Sequence, residues 1–94
     1  MAGLAGVKVY PNPWRNRHAA KHVTFSNLPT DSTVKIFMVS GQWVRDLGPE
    51  AWRLETVVWD LKNHSGDKVA SGVYLYLITD ASGGRVRGKL AIVR

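Results

Sequence analysis

Apolar and polar residues alternate along most of this 94-residue chain. This period of two residues is typical of a β-strand. The clearest stretch is residues 85–92, where cationic and apolar side chains alternate. No window of about 11 residues has apolar positions at the helical spacing of three and four. Glycine, proline and asparagine turn signals separate seven such short segments. These segments are residues 7–9, 23–26, 34–38, 43–47, 56–59, 73–78 and 85–92.

Seven short strands with no room for crossover helices predict an all-β fold, an immunoglobulin-like (fibronectin III-like) antiparallel β-sandwich. We assign residues 7–94 to this one domain and residues 1–6 to a linker remnant. Large side chains are expected to fill the space between two sheets about 10 Å apart. The predicted core residues are Trp14, Phe25, Ile36, Val44, Trp59, Tyr74 and Leu90.

Five short motifs follow one another between residues 7 and 94. They are Val9-Tyr10-Pro11-Asn12-Pro13-Trp14, Gly41-Gln42-Trp43-Val44-Arg45, Val58-Trp59-Asp60, Val69-Ala70-Ser71-Gly72-Val73-Tyr74 and Gly88-Lys89-Leu90. In this order they resemble the C-terminal sorting domains of type IX secretion cargo and the related immunoglobulin-like domain of the flagellar hook-cap protein. Family members often carry a glycine after the Trp-Asp pair, whereas this chain has Leu61, so we expect that turn to differ.

The same motifs have physical roles. Pro11 and Pro13 lack a ladder N–H, so the chain should leave one sheet there before the next strand. Gly41 and Gly72 stand where turns need a positive φ or a close backbone approach. Tyr74 should fill the core with its ring while its hydroxyl reaches a loop backbone group, as in a tyrosine corner. The full set of shape-maintaining residues is Pro11, Asn12, Pro13, Gly41, Trp59, Asp60, Gly72 and Tyr74.

The resemblance implies a non-catalytic C-terminal module of a secreted bacterial protein that reaches the cell surface through the periplasm. Outer-membrane secretion machinery would bind the folded module, and a sortase would join the preceding cargo domain to an anionic surface glycan. We expect the contact at the terminal strand, by strand addition to the receptor. Because that strand runs to the last residue, we expect the module to end its precursor. The predicted contact residues are Gly88, Lys89, Leu90, Ile92 and Val93.

Charge narrows the choice of partner only partly. Thirteen Lys and Arg against seven Asp and Glu give a net charge of +6, which attracts anionic partners, including anionic glycans. Nucleic-acid binding would need stacking aromatic residues among the cations, and the basic stretches lack them, so we predict no nucleic-acid partner. No apolar run approaches the roughly 18–20 residues of a membrane span.

Residues able to do chemistry are few. The chain has no cysteine, which excludes a disulfide scaffold and a thiol nucleophile. His18 and His22 are four residues apart, but Ala19 stands where the general base of a zinc hydrolase would be. The loop of residues 60–67 is predicted to be a hydrogen-bonded turn rather than a calcium loop. We therefore predict no metal, no cofactor and no enzyme activity.

Two tryptophans keep other functions open. If Trp43 and Trp52 are exposed, they can stack on sugar rings. The alternative is that they cap the ends of the sandwich or pack against a preceding domain. The rival functions are therefore a structural, adhesive or carbohydrate-binding module, or a hook-cap-like assembly domain.

Overall fold

The described part of the chain folds into strands and turns. The structure, a computed structural model, describes residues 6–16, 21–28, 31–48, 52–53 and 56–94, of which residues 52–53 are described by their backbone. These residues contain no α-helix. Their strands are β1 (Lys8–Tyr10), β2 (Trp14–Arg15), β3 (Val23–Ser26), β4 (Thr33–Met38), β5 (Trp43–Leu47), β6 (Trp52–Arg53), β7 (Thr56–Trp59), β8 (Gly72–Thr79) and β9 (Arg85–Val93).

The strands form two sheets. The small sheet has the order β1-β3-β7-β6, and the large sheet has the order β2-β9-β8-β4-β5. Neighbouring strands are antiparallel except for β2, which runs parallel to β9. The predicted immunoglobulin-like sandwich is confirmed, and each of the seven predicted segments forms a strand. The alternation of apolar and polar residues did not predict β2 and β6, because a strand of two residues is too short to show a period of two.

The core lies between the sheets, and all seven predicted core residues are buried there. Trp59 of the small sheet is fully buried, and its ring meets the edge of Tyr74 in the large sheet at a centroid distance of 5.9 Å. Phe25 and Tyr76 make a second edge-to-face pair between the sheets at 5.4 Å. Such pairs contribute about 0.5–1.5 kcal/mol beyond the area that they bury.

The proline motif carries the chain from one sheet to the other, as predicted. The small-sheet strand β1 ends at Tyr10, and the large-sheet strand β2 begins at Trp14, with Pro11 and Pro13 between them. Asn12 uses its side-chain amide like a short piece of strand. Its Nδ2 donates to the Lys89 carbonyl oxygen at 3.0 Å, and its Oδ1 accepts from the Ala91 N–H at 3.2 Å. The crossover is therefore fastened to β9 before β2 begins.

One turn shows the predicted use of glycine, and another does not use glycine at all. Gly41 has φ = 94°, as expected for a turn position that needs positive φ. Gly72 also has a positive φ, 156°, but at the first residue of β8. Leu61 has φ = 65° and is only 3% exposed. We expected this turn to differ from the family's, yet Leu61 holds the left-handed conformation that a glycine would favour.

Tyr74 forms the predicted tyrosine corner. Its ring is buried, and its hydroxyl donates to the Ala70 carbonyl oxygen at 2.6 Å, four residues back along the chain. Burial raises the pKa of the Tyr74 phenol above its ordinary value, and the positive charge of Arg94 partly opposes that rise. The corner therefore fixes the loop that leads into β8.

Candidate functional site

The side chains of the predicted contact residues in β9 divide between the core and the surface. Leu90 and Ile92 are each 1% exposed and belong to the core. A Cβ at Gly88 would overlap the side chain of Tyr76, so the ring of Tyr76 packs directly against the backbone of this glycine. Lys89 is exposed, and Val93 is 41% exposed. The structure thus leaves Lys89 and Val93 as the two predicted side chains that a partner can touch in the folded domain.

The second half of β9 is also covered along its backbone edge. Asn12 occupies the edge at Lys89 and Ala91. β2 then pairs with Ile92 and Val93, and the Asn16 N–H donates to the Val93 carbonyl oxygen at 2.8 Å. Strand addition at residues 89–93 would therefore require Asn12 and β2 to leave.

The outer face of the large sheet combines apolar and cationic side chains. Leu75 pairs with Lys89 across the sheet and Leu77 pairs with Arg87, which places all four on the side away from the core. The leucines are half-buried and the cations are exposed. A shallow depression of about 200 Å³ lies among Phe37, Leu75, Tyr76, Leu77, Arg85 and Arg87. We call Phe37, Leu75, Leu77, Arg85, Arg87 and Lys89 the outer face.

A tight hairpin sets the start of β9. The carboxylate of Asp80 accepts hydrogen bonds from the Ser82 N–H and hydroxyl and from the Gly84 N–H, the last at 2.7 Å. These bonds, led by that from the Ser82 side chain, lower the pKa of Asp80 because they favour its ionised form. The turn therefore has defined geometry where it delivers Arg85 to the outer face.

Trp43 lies at the opposite edge of the large sheet, in β5, and is 44% exposed. Its ring stacks on His64 at a centroid distance of 4.5 Å with planes 16° apart. Its Nε1–H donates to the Asp46 carboxylate at 2.7 Å. A depression of about 220 Å³ beside it has a mixed lining, with polar groups of Gln42, Asn63 and Lys68 and apolar groups of Met38 and Val69. Trp52 forms part of β6, but its side chain lies outside the described residues.

The loop of residues 60–68 is the predicted hydrogen-bonded turn. Asn63 accepts from the N–H groups of Ser65 and Asp67 through one side-chain oxygen. Asp60 pairs with Arg45 at 2.8 Å, with the two side chains 51% and 28% exposed. An ion pair this accessible contributes at most about 1 kcal/mol. The loop also covers part of the β5 edge, because the His64 N–H donates to the Val44 carbonyl oxygen at 2.9 Å.

In the part of the chain that the structure describes, groups that could perform chemistry are not brought together. Within the described ranges, no three His, Cys, Asp or Glu side chains lie close enough to hold a metal ion. His22 is exposed, and His18 lies outside the described residues. Over the same ranges, no buried side-chain nitrogen or oxygen lacks a hydrogen-bond partner. No helix in the described part of the chain is long and apolar enough to cross a membrane.

Comparison with known proteins gives matches among solved structures. No protein-family description matches the chain, and no curated protein matches it. It superposes on part of PorZ, an essential bacterial surface component of the type IX secretion system of Porphyromonas gingivalis. The TM-score is 0.80 with 32% identity, over 97% of this chain and 12% of PorZ.

A second match is dimeric latent PorU from the same bacterium, with a TM-score of 0.64 and 26% identity over 93% of this chain and 9% of PorU. CopC from Methylosinus trichosporium OB3b shares the fold at 18% identity and a TM-score of 0.53, over 93% of this chain and 90% of CopC. This chain therefore spans about a tenth of the two Porphyromonas proteins. The PorZ and PorU matches confirm the resemblance seen in the sequence motifs: this chain is similar to immunoglobulin-like parts of two type IX secretion components.

Proposed function

We propose that this domain is a non-catalytic C-terminal module of a secreted bacterial protein and acts as a folded sorting signal for type IX secretion. The observation that carries the proposal is the match to PorZ, at 32% identity over 97% of this chain. PorZ is a bacterial surface component, so we place the protein that carries this domain at the cell surface or outside the cell, after passage through the periplasm.

Recognition in this proposal depends on a rigid surface. The outer-membrane secretion machinery binds the outer face and the exposed residues of β9, while the two-sheet core holds these groups in position. A sortase then acts at the junction with the preceding cargo domain and joins that cargo to an anionic surface glycan. Excess positive charge on the domain, +6 overall, favours approach to such anionic surfaces.

The proposal is tested by fusing the full 94-residue chain behind a reporter with a signal peptide, in a bacterium that has type IX secretion. We expect the reporter at the cell surface or in the medium. A reporter that stays in the periplasm as a folded, intact fusion would overturn the proposal. Deleting residues 89–94 would not be informative, because it removes Leu90 and Ile92 from the core and would unfold the module.

Surface substitutions give a sharper version of the same experiment. Lys89→Glu reverses an exposed charge on the outer face, and Val93→Asp replaces the other exposed contact residue. Lys8→Glu is the matched control, since Lys8 is an exposed lysine on the small sheet. We expect both β9 variants to reduce export by on the order of tenfold, and the control to leave it unchanged. Thermal unfolding of each variant separates lost recognition from lost folding.

Carbohydrate binding is a second candidate, favoured by the exposed Trp43 beside a depression that has both polar and apolar lining residues. His64 and Asp46 hold the indole in one orientation, which reduces the entropy lost when a sugar ring stacks on it. A glycan array should then show binding that Trp43→Ala abolishes. Tyr10→Ala is the control because Tyr10 is an aromatic residue, 48% exposed, on the small sheet. Equal binding by both variants would remove this candidate.

A further inference from the structure

The first residues of β9 form a sheet edge that no described residue covers. Successive residues of an antiparallel strand direct their backbone groups to opposite sides. The Lys89 carbonyl and the Ala91 N–H point away from β8, toward Asn12, and the Val93 carbonyl points toward β2. By this alternation the backbone groups of Arg85 and Arg87 also point away from β8. Pairing with β2 starts only at Ile92, so the edge of residues 85–88 is open within the described part of the chain.

The hydrogen bonds of the hairpin before β9 independently support this assignment of which backbone groups point away from β8. The Asp80 N–H donates to the Gly84 carbonyl oxygen at 3.0 Å, so the even-numbered residue Gly84 faces the neighbouring strand. Val86 and Gly88 then face β8, opposite Ile78 and Tyr76. The open edge is therefore about four residues, or roughly 13 Å, long.

The side chains along this edge select its occupant. Arg85 and Arg87 are exposed and lie on the outer face, with Lys89 next in the same row. Val86 is half-buried against the core on the other side of the strand. An added strand that alternates acidic and apolar residues matches both sides at once. A second copy of β9 would bring arginines against arginines, which opposes self-pairing.

We propose that residues 85–88 of β9 are a docking edge for an extended acidic segment of a partner protein, which adds to the large sheet as a further strand. The segment pairs its backbone with Arg85 and Arg87 and places its carboxylates beside their guanidinium groups. The proposal rests on the proposed function, since it names the chemistry of the partner that recognises this surface. It also moves strand addition from residues 89–93, which Asn12 and β2 cover, to the preceding half of the strand.

A synthetic peptide of about ten residues with alternating valine and glutamate is the probe. We expect the full 94-residue chain to bind it in a calorimetric titration, more weakly at high salt. Two control peptides separate the contributions to binding. Lysine in place of glutamate should abolish binding by charge, and N-methylation of alternate backbone nitrogens should abolish it by removing the ladder donors.

Amide hydrogen exchange locates the peptide on the chain. In the free protein the Ala91 amide, which is bonded to Asn12, should exchange slowly and the Arg87 amide quickly. With the peptide bound, the Arg87 amide should become protected while Ala91 changes little. Protection confined to β5 or to the small sheet would overturn the proposal.

Variants of Arg87 test backbone and charge separately. Arg87→Pro removes the N–H that points to the open edge, which edge strands tolerate, and should reduce peptide affinity by on the order of tenfold. Arg87→Thr keeps that N–H and loses only the charge, so it should bind more tightly than Arg87→Pro. Paired Arg85→Glu and Arg87→Glu should instead prefer the lysine peptide. If Arg87→Pro fails to fold, the N-methylated peptide tests the same ladder on the folded chain.

Several outcomes would overturn the inference. These are no binding of the glutamate peptide, binding that N-methylation does not weaken, or dimerisation of the chain through residues 85–88. The export assay is separate: export without peptide binding overturns this inference and leaves the proposed function standing. Peptide binding by a module that does not direct export overturns the proposed function and leaves the docking edge standing.

Discussion

Leu61 shows two opposing effects within one residue. Its φ of 65° lies in the left-handed region, which costs a leucine about 1–2 kcal/mol. Its side chain is 3% exposed, and burial of a leucine contributes about 1.5–3 kcal/mol. Burial therefore outweighs strain, which explains how a leucine can occupy a position where family members often carry glycine.

Substitution of Leu61 tests this balance. Leu61→Ala loses the buried side chain and keeps the strain, so we expect a loss of about 2–4 kcal/mol in the free energy of unfolding. Leu61→Gly also loses the side chain but relieves the strain, so it should be more stable than the alanine variant by about 1 kcal/mol. Urea titration measures both. An alanine variant more stable than the glycine variant would contradict the strain at this residue.

The tyrosine corner predicts a pH dependence. Tyr74→Phe removes the 2.6 Å bond to Ala70 and should cost about 1 kcal/mol at neutral pH. Because the pKa of Tyr74 is raised in the folded state, its contribution is complete below the ordinary pKa of 10.0 and is lost as pH rises through the folded value. Wild-type stability should therefore fall more steeply than that of Tyr74→Phe above about pH 10. Parallel stability curves for the two proteins would contradict this.

Among the secondary-structure elements, β9 has the most varied surroundings. It pairs with β8 along its whole length, with β2 at Ile92 and Val93, and with the side chain of Asn12 at Lys89 and Ala91. Only its first half has an open edge within the described residues. The side chain of Asn12 thus lies at the boundary between the covered part of the β9 edge and the open part.

Removal of the Asn12 side chain tests this role. Asn12→Ala loses two hydrogen bonds to the β9 backbone and should cost about 1–2 kcal/mol in stability. The Ala91 amide should then exchange faster with solvent. Asn16→Ala is the control, because Asn16 uses its backbone N–H to reach Val93 and should change stability by less than about 0.5 kcal/mol. An unchanged rate of hydrogen exchange at the Ala91 amide in Asn12→Ala would contradict a protecting hydrogen bond between Ala91 and Asn12.

The two sheets share one core, and this predicts how the domain unfolds. Trp59 with Tyr74 and Phe25 with Tyr76 join the sheets through edge-to-face ring contacts. Neither sheet can keep its apolar face buried without the other, so we expect one cooperative transition. Tryptophan fluorescence and far-UV circular dichroism should give the same midpoint in urea. Separate midpoints would contradict a shared core.

The sequence predicted the strands and the core well because both follow from local rules. A period of two marks a half-buried strand, and large apolar side chains fill the space between sheets. For the strands Trp43–Leu47 and Thr56–Trp59, the predicted first and last residues agree with those in the structure. The sequence pattern did not show which of the predicted contact residues on β9 a partner can reach. Leu90 and Ile92 fit the strand pattern equally well whether a partner or the core covers them, and the core covers both.

Residue order alone was sufficient for the all-β class, the crossing at the prolines and the tyrosine corner, since each depends on neighbours within a few positions. The Asn12 bonds to β9 span 77 and 79 residues of chain, and the Trp43–His64 stack joins a strand to a distant loop. Contacts of this kind have no local signature, because they exist only after the sheets have paired. Which edge of β9 is closed and which is open was therefore decided by packing in three dimensions.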